Sequence, residues 1–266
     1  MTEISSKNNV RIKDLIKLRD DAKFRNDKSL FYVEGEIILN DTPIELIESI
    51  FIEKSKIDNF KYFINKFNTD KINIVDDSIF NKIKDTKNSQ GIIGVVKYNN
   101  FFNISRDRID NIKSCLILDN INDPGNLGTI IRLSEASSID LLILCNNCCS
   151  IYNPKVLRAS MSSIFRINIC VTDNIVSDIE KLKNNNFKIY ASIISENAKQ
   201  FNLINFTTKH AVIVGNEANG VSNELILMSD DNIYIPMCGK IQSLNVAVAS
   251  TVICYEIMRQ NNYYET

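Results

Sequence analysis

Arg132 follows Gly128 by four residues, one helical turn, so its guanidinium can reach back over the preceding loop toward an anion or a developing oxyanion. A surface helix arginine has the same local signature. Glu217, Ser243 and Asn245 add an acceptor and two neutral hydrogen-bonding groups, suited to hydroxyls or to the polar edge of a ligand. Ser243 and Asn245 are equally suited to capping the helix that follows them. Histidine chemistry has a single candidate, His210, and it stands at the start of the apolar run 211–214, a strand-start position rather than a place for a triad. Cys145 and Cys148 form a C-x-x-C, but no second pair and no histidine of zinc spacing accompanies it, so no metal site is expected.

The polar residues fall in or beside three loops, each directly after an apolar run that reads as a strand. Residues 119–128 follow SCLIL, 215–220 follow AVIV, and 236–245 follow IYI. The chain holds only 8 glycines and 4 prolines, where average composition would give about 19 and 13. Gly125, Gly128, Gly215, Gly220 and Gly239, with Pro124 and Pro236, lie in these loops. Ligands of open α/β sheets bind outside the carboxyl ends of strands, so the three loops are expected to converge on one site. No G-x-G-x-x-G follows a strand and no G-x-x-x-x-G-K-[ST] is present, which disfavours a dinucleotide or a nucleoside triphosphate.

Short β-rich runs alternate with amphipathic stretches from end to end, the pattern of an α/β architecture. In the first part the spacing predicts a basic amphipathic helix over 8–24, strands near 30–33, 47–53, 72–75 and 91–98, and helices near 60–67 and 77–85. Polar residues 99–113 read as a linker or entry helix. The second part carries strands near 114–118, 141–144, 167–171, 187–193, 211–214 and 233–235. Helices near 153–162, 174–185 and 244–259 lie between or after them, so a mostly parallel sheet covered on both faces is expected. With 266 residues, 44% hydrophobic and 24% charged, the chain suits one large or two modest globular domains. A net charge of −1 leaves any basic surface local. Seven cysteines without a secretory signal, and no apolar run of spanning length, point to reduced thiols in a cytoplasmic protein without a membrane segment.

The three loops resemble the ordered motifs of the SpoU/TrmH family of RNA ribose 2′-O-methyltransferases. The matching residues are Asn126-x-Gly128 with Arg132, Gly215-x-Glu217-x-x-Gly220-Val221, and Ile235-Pro236-Met237-x-Gly239 with Ser243-Leu244-Asn245. The intervening stretch 153–162 is also similar, with Ser162 where the family often has glycine. The resemblance implies a SPOUT-type domain over 114–266 whose carboxyl-terminal part threads a trefoil knot. It also implies S-adenosylmethionine held there by Gly215, Ile235, Met237 and Leu244, and a homodimer packed through knot helices. It assigns the central catalytic role to Arg132, with Asn126, Glu217, Ser243 and Asn245 around it, and gives Gly215 and Gly239 the role of places where backbone passes close to cofactor or chain. Residues 1–97, through Arg11-Ile12-Lys13, Phe31-x-Val33-Glu34-Gly35 and the stretch 90–96, resemble the RNA substrate-binding domain of a subset of the family, with 98–113 as linker. That favours ribosomal RNA, 23S above all, over transfer RNA. A noncatalytic RNA-binding paralogue, a transfer-RNA enzyme and a base-methylating SPOUT enzyme are the competing readings.

Overall fold

The computed structural model describes residues 1–67, 69–99, 101–102, 104, 109–216 and 219–262. The chain divides into two compact units, one of Met1–Asn100 and Tyr152–Phe165, the other of Phe101–Ile151 and Arg166–Thr266.

The first unit contains β1 (Thr2–Ile4), α1 (Val10–Asp20), α2 (Ala22–Lys28), β2 (Leu30–Glu34), α3 (Glu36–Asp41), β3 (Ile47–Glu53), α4 (Lys61–Lys66), β4 (Ile72–Val75), α5 (Asp77–Ile83) and β5 (Ile92–Lys97). Its sheet runs β1-β4-β3-β5-β2, parallel across β1, β4 and β3 and antiparallel where β5 meets β3 and β2. The helix expected over 8–24 is two helices. Asp21 leaves the helical conformation at φ −117°, ψ 110°, and its carboxylate accepts from Phe24 N at 3.1 Å, capping α2. Ile12, Leu15 and Leu18 form the buried stripe of α1. Several of the basic side chains are spent on the protein itself. Arg11 donates to Asn73 Oδ1 at 2.6 Å, Arg19 donates to the carbonyls of Lys82 and Lys84, and buried Arg25 donates to the carbonyls of Leu18 and Arg19.

The second unit contains β6 (Ser114–Asp119), α6 (Pro124–Ala136) and β7 (Leu141–Cys145). The chain then contributes α7 (Pro154–Ala159) to the first unit and returns as β8 (Asn168–Thr172), α8 (Ile175–Asn184), β9 (Lys188–Ser192), β10 (Lys199–Gln200), β11 (His210–Gly215), α9 (Asn223–Met228), β12 (Asp231–Tyr234) and α10 (Val246–Gln260). Its sheet is ordered β10-β12-β9-β11-β6-β7-β8, and every pairing is parallel. β6 and β7 are buried along their whole length, as strands covered on both faces must be. Residues expected as a linker supply Ile104, Ile109 and Ile112 to the core of this unit, and Phe102 N donates to Ile169 O at 2.8 Å.

Scarcity of glycine has a local consequence. Left-handed backbone is adopted at Ser29, Asn120, Ser138, Met161, Ser162, Asn186 and Asn262 as well as at glycine. Asparagine tolerates that region through local hydrogen bonding, whereas Met161 and Ser162 occupy it at a steric cost.

Candidate active site

Because the sheet of the second unit is parallel throughout, the carboxyl ends of β6, β9, β11 and β12 open on one edge. A cavity of about 410 Å³ lies there, lined by 192–194 at the end of β9, by the loop after β11, and by Ile235, Met237, Ser243 and Leu244 after β12. Its size falls within the range of small-molecule sites. Gly215, Ile235, Met237 and Leu244, far apart in sequence, all line this one cavity. None of the described residues around it carries a charge, so a ligand would be held by backbone groups, neutral side chains and apolar contact.

Gly215 cannot be exchanged without rearrangement. A Cβ there would lie 2.2 Å from the carbonyl carbon of Gly220 and 2.3 Å from Val221 N, because the loop folds back over the strand end. Gly220, at φ +67°, makes that return, and its N–H donates to Asn216 O at 2.8 Å. At Gly239 an added Cβ would meet nothing within 4 Å, so a close approach there would be to the methyl donor rather than to the chain.

The first loop is shorter than its sequence suggested. The helix begins at Pro124, the favoured residue for a first turn, and Asp123 caps it by accepting from Asn126 N at 2.8 Å. Gly125, Asn126 and Gly128 therefore lie on α6 itself, with Gly128 buried. Asn245 caps α10, its Oδ1 accepting from Ala247 N at 3.0 Å and Val248 N at 3.3 Å. Its Nδ2 reaches across to Asn126 Oδ1 at 3.1 Å. Consecutive residues thus face two ways, Leu244 to the cavity and Asn245 to α6. Arg132 sits six residues beyond Asn126 on α6, exposed and with no hydrogen bond or ion pair to a described residue. Ser243 lines the cavity and does not cap α10. Glu217 lies outside the described residues.

The segments that follow β6, β7 and β11 are tied to one another by hydrogen bonds. Asp119, buried at the end of β6 opposite Gly215, accepts from Ser222 N at 2.7 Å through Oδ2 and from Asn147 Nδ2 at 3.3 Å through Oδ1. Asn147 Oδ1 accepts from Asn120 N at 3.0 Å, and Asn216 Nδ2 donates to Asn120 O at 3.1 Å. Cys148 belongs to the same frame: its thiol donates to Leu118 O and accepts from Ile121 N, both at 3.3 Å. Burial pushes that thiol up to about 11, away from the thiolate form at neutral pH. Among the described residues, no group of three His, Cys, Asp or Glu side chains is placed to hold a metal.

Sequence reasoning did not single out residues 192–194, Asn216, Asn219 or Tyr234 as cavity residues. Ser192 ends β9, so the rule that already pointed to the ends of β6, β11 and β12 could have found that segment.

Residues 113–255 match the SpoU rRNA Methylase family, a span that starts just before β6 and ends within α10. The chain belongs to that family. This SpoU family chain is 29% identical over 261 residues to the 23S rRNA (guanosine(2553)-2′-O)-methyltransferase RlmP of Bacillus subtilis, a match covering 97% of this chain and 99% of that protein. It is 40% identical over 148 residues to an uncharacterized tRNA/rRNA methyltransferase of Borreliella burgdorferi, covering 55% of this chain and 64% of the relative. Its fold is similar to that of the SpoU methyltransferase AviRb from Streptomyces viridochromogenes, with TM-score 0.82, 21% identity, and 96% and 99% of the two chains covered. An AdoMet-bound rRNA methyltransferase from Sinorhizobium meliloti has TM-score 0.81 at 22% identity, with 97% of each chain covered. No helix of the described residues is long and apolar enough to cross a membrane.

Proposed function

We propose that this SpoU family chain transfers a methyl group from S-adenosylmethionine to a ribose 2′-hydroxyl of 23S ribosomal RNA. The observation that carries the reading is the single cavity lined by Gly215, Ile235, Met237 and Leu244, the four residues matched to the methyl donor. The residues present fit that molecule. The cavity is of nucleoside size, uncharged among its described residues, and bounded at Gly215 by backbone so close that a side chain is excluded. When bound, S-adenosylmethionine supplies an electrophilic methyl on a sulfonium sulfur.

The chain's own groups supply positioning and charge. Arg132, exposed on α6, is assigned to orient a substrate phosphate and to stabilise negative charge as the 2′-oxygen loses its proton. Guanidinium N–H groups donate and do not accept, so Arg132 is assigned the developing charge and not the proton. Asn126 and Asn245, joined at 3.1 Å, fix the start of α6 relative to the last loop. Ser243 faces the cavity beside them, and Glu217 remains in the proposed set as an acceptor for a hydroxyl.

Ribosomal RNA is favoured because the likeness to RlmP runs through both units, including residues 1–97, rather than through the 113–255 span alone. The trefoil path and a homodimer belong to the same proposal. Val248 and Tyr255, 49% and 44% exposed and seven residues apart on α10, give that helix an apolar outer stripe suited to a second copy. Incubating 23S transcript with the protein and labelled S-adenosylmethionine, then digesting to nucleosides, tests the reading. A 2′-O-methylnucleoside is expected; a base-methylated product or no product at all overturns it. Light scattering is expected to give twice the chain mass.

A further inference from the structure

We infer that Asp119, together with Asn147, is a positioning residue for the methyl donor, holding the loop after β11 in the shape that binds it. This rests on the proposed use of S-adenosylmethionine. The loop carries cavity residues Gly215, Asn216, Asn219, Gly220 and Val221, and Gly220 N donates to Asn216 O at 2.8 Å across the bridge between those two residues. What anchors its far end is Asp119 Oδ2, which accepts from Ser222 N at 2.7 Å, one residue beyond buried Val221. What anchors its near end is Asn216 Nδ2, donating to the carbonyl of Asn120, the neighbour of Asp119. Asn147 in turn fixes both neighbours, donating to Asp119 Oδ1 at 3.3 Å and accepting from Asn120 N at 3.0 Å.

The hydrogen-bond count makes a carboxylate necessary at position 119. Both of its oxygens face donors, the Ser222 N–H and the Asn147 amide. An amide at 119 would turn its NH₂ toward one of them. Flipping the Asn147 amide relieves that conflict only by aiming NH₂ at Asn120 N–H. Asp119→Asn therefore leaves one donor unpaired next to a loop that forms the cavity wall, whichever way the amides turn. The exchange Asp119→Asn/Asn147→Asp satisfies every group again: the amide at 119 accepts from Ser222 and donates to the carboxylate at 147, which still accepts from Asn120.

Calorimetric titration of the full-length protein with S-adenosylmethionine is the test. D119N is expected to weaken binding about tenfold, and D119N/N147D to recover to within about threefold of the wild type. N147A, at an exposed side chain, is expected to weaken binding about threefold even if D119N does not fold. kcat at saturating donor is expected to hold while the donor KM rises, a split that general destabilisation would not produce. Unchanged affinity in N147A or in folded D119N, or a double variant as weak as D119N, overturns the inference. Absence of binding by the wild type instead overturns the proposed use of S-adenosylmethionine.

Discussion

Asn245 Nδ2 donates to Asn126 Oδ1 at 3.1 Å while Oδ1 of the same side chain caps α10. One amide therefore joins the first turn of the helix that bears Arg132 to the first turn of the last helix, at the residue next to Leu244 in the cavity wall. The donor cavity and the candidate catalytic arginine belong to one frame through this contact.

The two ends of that amide can be separated by substitution. Asn245→Ala removes cap and bridge together and is expected to cost about 1 kcal/mol of stability. Asn245→Ser keeps a good capping oxygen but has no second group to reach Asn126, so stability should stay within about 0.5 kcal/mol of the wild type while methylation falls about tenfold. Urea unfolding beside a methyl-transfer assay reads both quantities. Equal activity in the serine variant and the wild type would mean that methyl transfer does not need the bridge.

The Arg132 side chain is exposed and forms no hydrogen bond or ion pair with a described residue. Arg132→Ala is therefore expected to leave the melting temperature and donor affinity unchanged while methylation drops by about 100-fold or more, the scale of losing a preorganised donor to developing charge. Arg132→Lys, which keeps charge without the planar fork, should fall between the two. Near wild-type methylation by the alanine variant would remove Arg132 from the assigned role.

How much of this was legible depends on whether the signal was local. β6, β7 and β11 are buried on both faces, so they read as continuous apolar runs; β1 and β10, of three and two residues, are too short for any period to register. Gly215 stood out as a glycine closing an apolar run, and the reason proved to be its own chain at 2.2 Å. At Gly239 an added Cβ would meet nothing of the chain within 4 Å. The helix start at Pro124 was written in the Asp123-Pro124 pair, but the glycines after it disguised the first turn as loop. Asp119 and Ser222 are 103 residues apart, and their bond leaves no mark on either segment. Residues 152–165 pack with the first unit through Tyr152 on Phe31, ring centroids 4.6 Å apart, a pairing that no nearby residue announces.

Ser162 stands where the family resemblance leads to an expectation of glycine, and its backbone is left-handed at φ +67°. It is also fully buried with Oγ unpartnered. Ser162→Gly should relieve both the steric cost of that conformation and the unpaired hydroxyl, offset by greater freedom of the unfolded chain, for a net gain of about 1 kcal/mol. Ser162→Ala removes only the hydroxyl and should gain less. A loss of stability in the glycine variant, measured by urea unfolding, would mean the local strain is relieved in another way.

His210, 1% exposed at the start of β11, gives stability a pH dependence of definite sign. Its Nδ1 lies 2.8 Å from Thr208 O, which can only accept, so the proton sits on Nδ1 and Nε2 is a buried acceptor without a partner. Phe206 packs against the ring at a centroid distance of 5.1 Å. Burial lowers the folded-state pKa below the ordinary value of 6.5, the carbonyl of Thr208 and the charge of Asp140 opposing it only in part. As pH falls through 6.5 the unfolded chain takes up a proton that the folded chain refuses, so stability declines from that point down to the depressed folded pKa. Above 6.5 both states are neutral and the contribution is constant. Since this is the one histidine of the chain, the slope between about pH 5 and 6.5 should flatten in His210→Asn, a variant that cannot gain the proton in either state. Urea midpoints recorded across that window check it, and an equal decline in both proteins would assign the slope to other groups.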